Sequence, residues 1–345
     1  MRGTPFMTNT PGALAAALIL LLMAMPSPAR GDGPKSAPTL SQVRGKIDSA
    51  DGKAIYDQQM SGSTRTDGFG TNLPAGLATD DIVRLLLPKA NASLATLAGM
   101  KNWPYKENMY IAFACIAPNQ LTKERALKYN NGKAICNPWQ TETKPGSKPG
   151  EWVSSGDYLM AIGMIRKDGD RISLASTVVS WSGVEGSPLA TKWSHSNLFG
   201  PGGINQWQDE ETEKMKSALL YPSELYRFDF ARYAISNETV AFGIRSGMNE
   251  SYSGGGASFQ VLTLFAVING ELRAIFSEPM YYFKDVAGDW NKDGSRNHEI
   301  FEGENTVSIS DAKTDGYYKL IVKSKKKAWS KSFHWDRNLL RYVVD

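Results

Sequence analysis

The sequence predicts a mainly β protein in which antiparallel hairpins form a sandwich or a partial propeller-like array, with one or two short N-terminal helices. Segments 158–180 and 259–283 each contain two apolar β-type runs, separated by Asp-Gly at 168–169 and by Asn-Gly at 269–270. Such dipeptides between apolar runs are the strongest local signal for a hairpin. No alternation of strand and helix patterns is visible, which disfavours a doubly wound parallel sheet.

Residues 1–29 are predicted to be a signal peptide that is cleaved near Ala29. Arg2 supplies a positive start, the apolar run 13–25 is shorter than a membrane span, and small residues precede the cleavage position. No Cys directly follows that run, so a lipoprotein anchor is not expected. The alternative is an uncleaved membrane anchor. The cleaved protein is expected to be periplasmic or secreted, without a transmembrane anchor.

The charge balance argues against one class of partner. The chain has 39 basic and 35 acidic residues, a formal net charge of +4, and only Arg2 lies within the predicted signal peptide. A protein whose main partner is a nucleic acid normally carries a much larger, clustered positive excess. We therefore expect no nucleic-acid partner.

The segment 30–105 is predicted to be an extended entry followed by short helices. Residues 30–78 are rich in Gly, Ser, Thr, Asp and Pro and show no apolar periodicity. Thr79 then resembles a helix start because acidic residues follow it, and Pro88 should end or kink that helix. A second short helical piece is expected near 92–98.

The remaining chain is predicted to form two β subdomains, 106–225 and 226–345. Further hairpins are expected at 227–246 and 317–335, and a glycine-rich turn at 251–258. Three irregular stretches interrupt the strands, the last of them with a short helical pattern: 137–152, 182–203 and 208–220.

Cys115 and Cys136 are the two cysteines of the chain. An even number in an oxidising compartment predicts one disulfide bond, and two buried free thiols are the alternative. Zinc is not expected, because these cysteines and the scattered His195, His298 and His334 lack ligand spacing.

The stretch DWNKDGSRN at 289–297 predicts a structural calcium loop. Calcium takes oxygen ligands from alternate positions of a tight loop, and Gly294 would permit the sharp turn. An EF-hand is not complete, because Ile300 occupies the position of its bidentate Glu. Nearby Asp285, Glu299 and Glu302 would add negative potential. The predicted ligands, with the carbonyl group at position 295, are Asp289, Asn291, Asp293, Ser295 and Asn297. The alternative is a solvated Asx turn between strands.

The same stretch resembles the D-x-[DN]-x-D-G-x-x-D calcium loops of FG-GAP-type propeller repeats, with Asn297 in the last ligand place. A second copy follows at 311–322, where Lys313 and Lys319 occupy ligand places. Because an ammonium group only donates hydrogen bonds, this copy should keep the turn and lose the metal. The resemblance covers about thirty residues.

A cluster of lysines and tryptophans surrounds the predicted turn of the 317–335 hairpin. This is the densest basic stretch of the chain, and an anionic partner or another envelope protein is expected to bind there. The alternative is a solvated hairpin tip whose lysines protect a strand edge. The cluster comprises Lys323, Lys325, Lys326, Lys327, Lys331, Trp329 and Trp335.

Catalytic motifs are weak in this sequence. No Ser stands between two Gly residues at the spacing of a nucleophile elbow. His298-Glu299 begins a zincin-like pair, but Glu302 stands where its second His would be. Neither motif therefore supports an enzyme.

The segment from FDFARYAI through DVAGDWNKDGSRNHEIFEG resembles exported bacterial proteins of no assigned activity. This resemblance implies no mechanism. The first interpretation of the sequence is a non-enzymatic exported binding or interaction protein, such as an inhibitor or immunity-type partner of a cell-envelope enzyme. The alternative is a calcium-supported hydrolase that acts on envelope polymers or glycans.

Overall fold

The protein is seen in a computed structural model that describes most of the chain after residue 34. The described residues are 35–61, 67–136, 141–142, 153–154, 158–169, 171–182, 188–189, 191–192, 219–220, 222, 224–252, 255–325 and 330–345. The predicted signal peptide and most of the three predicted irregular stretches lie outside these ranges. Among the helices that the structure describes, none is long and apolar enough to span a bilayer.

The described residues form four α-helices, one short 3₁₀ helix and eighteen strands. The helices are α1 Leu40–Lys46, α2 Ala50–Ser61, α3 Thr79–Leu86 and α4 Gln120–Tyr129, with the 3₁₀ turn at Ala92–Leu94. The strands before the long central gap are β1 Lys35–Ala37, β2 Ala95–Asn102, β3 Met109–Ile116, β4 Thr141–Glu142, β5 Val153–Ser154, β6 Leu159–Asp168, β7 Arg171–Leu174, β8 Val179–Ser182 and β9 Thr191–Lys192. The others are β10 Leu219–Leu220, β11 Glu224–Ala234, β12 Val240–Tyr252, β13 Gly255–Ile268, β14 Glu271–Trp290, β15 Arg296–Thr314, β16 Tyr317–Ser324, β17 Ser330–Asp336 and β18 Arg341–Val344.

Two antiparallel sheets dominate the structure. A five-stranded sheet has the order β2-β3-β6-β7, with β8 also paired to β6. A nine-stranded sheet runs from β11 to β18 in chain order, and β1 adds to it beside β15. The prediction of a mainly β, antiparallel fold is confirmed, and the open sheets are consistent with a sandwich. The boundary predicted near residue 225 stays a prediction.

The predicted hairpins form where turn chemistry is strongest. Asn269 and Gly270 both have positive φ, 53° and 83°, and join β13 to β14. A turn with two positive φ values matches the twist of the flanking strands and is readily adopted by Asn-Gly. Asp315 and Gly316 repeat this geometry between β15 and β16, so the second copy keeps its turn as predicted.

Two predictions about strands need correction. After Gly169 the second apolar run is not one strand, since both β7 and β8 pair with β6 over different parts of its length. The expected glycine-rich turn is shorter than predicted, because Gly255 and Gly256 already pair in β13 with Tyr252 and Ser251.

The principal core lies between the two sheets. It includes Phe113 and Ile162 from the five-stranded sheet and Phe228, Phe242 and Phe265 from the nine-stranded sheet. A second core cluster covers the opposite face of the larger sheet, where its C-terminal strands pack back over its middle strands. Members of this second core cluster include Leu262, Leu264, Phe276, Leu320 and Phe333.

Helix α3 packs on the outer face of the five-stranded sheet through the buried Ile82, Val83 and Leu86. It ends at Leu86, two residues before Pro88, as predicted. Its N-cap residue is Ala78 rather than Thr79, and the Asp81 carboxylate accepts a 2.8 Å hydrogen bond from the Ala78 N–H. The piece expected at 92–98 is a 3₁₀ turn that leads into β2.

The entry segment is more ordered than its composition predicts. It contains β1, α1 and α2, whose Ala37, Val43 and Ile55 pack against Phe283 and Ile300 in β14 and β15. These partners lie about 250 residues away along the chain, so no local pattern could indicate them. Helix α4 was also not predicted. Asn119 is its N-cap residue and accepts a 2.9 Å hydrogen bond from the Thr122 N–H.

The predicted disulfide between Cys115 and Cys136 is confirmed. Both residues are fully buried, their Cα atoms lie 5.9 Å apart, and 21 positions separate them in sequence. The bond joins β3 to the segment that follows α4. It therefore ties an irregular connection to the principal core.

Candidate ligand-binding cleft

The DWNKDGSRN stretch forms the tight turn between β14 and β15. The Asn291 N–H donates to the Ser295 carbonyl oxygen at 2.8 Å, and the Gly294 N–H donates to the Asn291 carbonyl oxygen at 3.1 Å. Gly294 has a φ of +83°, which a side chain would disfavour. The turn that the sequence predicted is therefore present.

The polar side chains of this turn are hydrogen-bonded to one another. Asp293 Oδ1 accepts from the backbone N–H and the hydroxyl of Ser295, at 3.0 and 2.6 Å. These bonds lower the pKa of Asp293. Asn291 Nδ2 donates to the Pro38 carbonyl oxygen and to Ser295 Oγ, both at 2.9 Å. The turn is thus closed by an Asx-type network and docked onto the entry segment.

Three of the five predicted calcium ligands, Asn291, Asp293 and Ser295, meet in this turn, while Asp289 and Asn297 lie on the flanking strands. Across the described residues there is no group of three His, Cys, Asp or Glu side chains that could hold a metal ion. The hydrogen bonds nevertheless leave Asn291 Oδ1 and Asp293 Oδ2 as possible oxygen ligands. Calcium binding stays a prediction.

We expect calcium to raise the melting temperature of the protein without residues 1–29, relative to EDTA. Binding only to the folded state stabilises it by about 2.7 kcal/mol at a hundredfold excess over Kd. Asp293→Ala should abolish this increase, whereas Asp315→Ala in the Lys-containing second copy should preserve it. Thermal unfolding and calorimetric titration measure both effects. Equal melting temperatures and no heat of binding would establish the turn as metal-free.

Two of the acidic residues near the turn, Asp285 and Glu302, make other contacts. Glu302 accepts hydrogen bonds from the N–H groups of Asp48 and Ser49 at 2.7 and 2.9 Å, and from the Tyr281 hydroxyl at 3.2 Å. A carboxylate at this place satisfies backbone donors at the start of α2. Glu302 therefore anchors the N-terminal helices to β15, a role that the sequence did not indicate.

A cleft of about 650 Å³ lies between these helices and the ends of β13, β14 and β15. Its volume is within the range of about 300–1,000 Å³ that is usual for small-molecule sites. Tyr56 and Phe283 line it and contact each other edge to face at 6.1 Å. The Tyr56 hydroxyl also donates to the Leu40 carbonyl oxygen at 3.1 Å, which fixes α2 relative to α1.

A buried Asp–His pair lies at this cleft. His298 Nδ1 and Asp285 Oδ1 are 2.7 Å apart, and both side chains are almost fully buried. Asp285 pairs with Ile300 and His298 with Ala287, so the two side chains are diagonal neighbours on one face of the β14–β15 hairpin. Burial raises the pKa of Asp285, and the hydrogen bond from His298 opposes that rise.

The register explains why this pair is accessible to the cleft. Gly256 in β13 lies directly opposite Asp285 in β14. Because paired residues point to the same face of a sheet, the missing side chain at Gly256 leaves space beside the carboxylate. In the sequence, Gly256 is indicated only as part of the glycine-rich turn at 251–258.

Three large apolar side chains are exposed at the rim of the cleft. Trp290 is 69% exposed, Met60 52% and Leu40 42%, and all three line the cavity. The Arg296 guanidinium carbon lies 5.0 Å from the centre of a Trp290 ring, a cation–π arrangement. Clustered apolar exposure of this kind marks interaction sites, whereas single exposed apolar residues are common.

The predicted basic surface is only partly described. Lys326, Lys327 and Trp329 lie outside the described residues. Lys325 forms a 2.8 Å ion pair with Glu304, which reduces its availability for an anionic partner. Trp335 is buried in the second core cluster and stacks on Tyr317. It therefore packs beneath the hairpin and is not part of the basic surface.

No hydroxyl among the described residues completes the Asp285–His298 pair as a catalytic triad. The hydrogen bond of His298 goes to Asp285, and no Ser or Thr hydroxyl of the described residues is bonded to the imidazole. Both cysteines are in the disulfide.

The chain matches no protein-family model, no curated protein and no solved structure.

Proposed function

We propose that this protein is a non-enzymatic exported binding protein that holds its partner at the cleft between α1–α2 and the β14–β15 hairpin. The observation that carries the proposal is the exposure of Leu40, Met60 and Trp290 around one cavity. The N-terminal signal-peptide pattern supports export to the periplasm or the medium. In that setting, an inhibitor or immunity-type partner of a cell-envelope enzyme fits best.

The composition of the rim favours a protein partner. Trp, Met and Arg are enriched at interfaces, and Trp and Arg dominate binding hot spots. Fully covering a large apolar side chain contributes about 1.5–3 kcal/mol. A ligand confined to the cavity would leave much of Trp290 and Met60 in water, whereas a partner surface would cover both.

We expect a double variant, Met60→Ser with Trp290→Ser, to lose its natural partner. The wild-type protein is used to capture the partner from the native periplasmic extract. That partner should bind the double variant at least tenfold more weakly than it binds the wild-type protein. The matched control replaces Leu121 and Leu339 by Ser, since these residues are similarly exposed, at 52% and 53%, but do not line the cleft. Equal capture by both variants would refute the proposed function.

The second candidate, a calcium-supported hydrolase of envelope polymers or glycans, is favoured by one observation. The carboxylate of Asp285 would orient His298 and leave its Nε2 as a base for activating water. Under this hypothesis, the wild-type protein would release soluble fragments from purified cell-wall polymer and His298→Gln would not. Absence of release by the wild-type protein, with and without millimolar calcium, would remove this candidate.

A further inference from the structure

We infer that the cleft recognises a polypeptide segment in which a carboxylate group stands next to an apolar side chain. This inference rests on the proposed function and names the chemistry of the partner. It depends on how Arg296, Trp290 and Gln59 are held at the cavity.

Arg296 is a fixed and unneutralised cation. Its Nε donates to the Gly288 carbonyl oxygen at 3.1 Å and one of its terminal nitrogens donates to the Ala287 carbonyl oxygen at 3.4 Å. No Asp or Glu of the described residues forms an ion pair with it. Because a guanidinium has five donor hydrogens in a rigid plane, these two bonds orient it and leave donors for a carboxylate.

Asp285, the other charged residue that lines the cleft, is already engaged. Its Oδ1 lies 2.7 Å from His298 Nδ1, and it is buried beneath the rim. Arg296 lies nearer the rim, over the exposed Trp290 ring. The charge that an incoming group meets first is therefore positive, which favours an anionic group at this place.

The cleft also has a donor that lacks an acceptor. Gln59 lines the cavity, and its Nε2 is buried without a hydrogen-bond partner among the described residues. A buried polar group left in this condition destabilises the unliganded protein. A carbonyl oxygen from a bound peptide backbone would satisfy it, whereas a purely apolar ligand would not.

The apolar part of the motif follows from the position of Arg296 over Trp290. A carboxylate that pairs with the guanidinium is brought beside the indole ring and near Met60. A neighbouring Leu or Phe side chain would then cover apolar rim surface while its backbone spans the cavity. This arrangement unites the free cation, the free donor and the exposed apolar surface in one ligand.

An array of synthetic eight-residue peptides tests the inference. Each peptide carries Leu or Phe beside Asp or Glu, and its matched analogue carries Asn or Gln instead. The mature wild-type protein should prefer the acidic peptides about tenfold. Arg296→Gln should remove this preference, Arg296→Lys should retain part of it, and the exposed Arg341→Gln on β18 should leave it unchanged. Thermal unfolding of each variant confirms that it is folded.

The outcomes separate the two proposals. Equal binding of acidic and amide peptides by the wild-type protein, or a preference that survives in folded Arg296→Gln, would overturn the inference. If the double variant of Met60 and Trp290 still loses its natural partner in that case, the proposed function stands and only the partner's chemistry is wrong. If that variant keeps its partner, the cleft itself is excluded as the binding surface.

Discussion

Replacing Glu278 by Gln is expected to stabilise the protein at pH 8 and to leave its stability nearly unchanged at pH 4. Glu278 is only 8% exposed and lies on β14 opposite Leu262, so its side chain shares a face with members of the second core cluster. Burial raises its pKa to about 8, and the positive charge of Lys331 only partly opposes this rise. The folded protein therefore favours the neutral carboxylic acid.

The sign of the pH dependence follows from proton counting. Between the ordinary pKa of 4.5 and the folded value of about 8, the folded state holds a proton that the unfolded state has released. Stability must then fall as pH rises through this window, by at most about 1.4 kcal/mol per pH unit. The total loss cannot exceed about 4–5 kcal/mol, and relaxation around the carboxylate will reduce it. Gln has nearly the same shape and no such proton, so it avoids the loss.

Urea unfolding of both proteins at pH 4, 6 and 8.5 measures the difference. The free energy gained by Glu278→Gln should be close to zero at pH 4 and reach a few kcal/mol at pH 8.5. Glu299→Gln on the exposed side of β15 is the matched control, because it makes the same replacement outside the core. A difference between Glu278→Gln and the wild-type protein that does not change with pH would show that folding does not raise the pKa of Glu278.

The parts of the fold that the sequence predicted are those decided by local chemistry or by the number of cysteines. The Asn269–Gly270 turn needs two positive φ values, and Asn-Gly is among the few dipeptides that adopt them readily. The disulfide followed from two cysteines in a chain with a signal-peptide pattern. Helix α3 was visible because Ile82 and Leu86 repeat at helical spacing and Pro88 closes the segment.

The cleft could not be predicted, because contacts distant in sequence build it. Glu302 holds Asp48 and Ser49 across more than 250 residues, and β1 pairs with β15 over a similar separation. One signal was present: in the β14–β15 hairpin, Asp285 and His298 occupy the face that otherwise carries Phe283 and Ile300. Polar residues at core-facing positions of paired strands must satisfy each other, and this could have indicated the pair.

Removal of the disulfide should cost about 3 kcal/mol of unfolding free energy. Replacing both Cys115 and Cys136 by Ala frees a loop of about twenty residues in the unfolded chain, for which the chain-entropy model gives this value. The native state is also affected, because the Ile135 N–H donates to the Thr96 carbonyl oxygen at 3.0 Å and the Leu225 N–H donates to the Cys136 carbonyl oxygen at 3.4 Å. The bond thus holds a segment that bridges β2 and β11.

Urea unfolding of the oxidised wild-type protein, the reduced wild-type protein and the double Ala variant separates the two contributions. The reduced protein keeps both sulfur atoms in the core, so its loss of about 3 kcal/mol would report the covalent constraint alone. The Ala variant should lose somewhat more, because each replacement also removes a buried sulfur atom. Equal stability of the oxidised and reduced proteins would show that packing around residues 115 and 136, rather than the disulfide, holds the segment to the core.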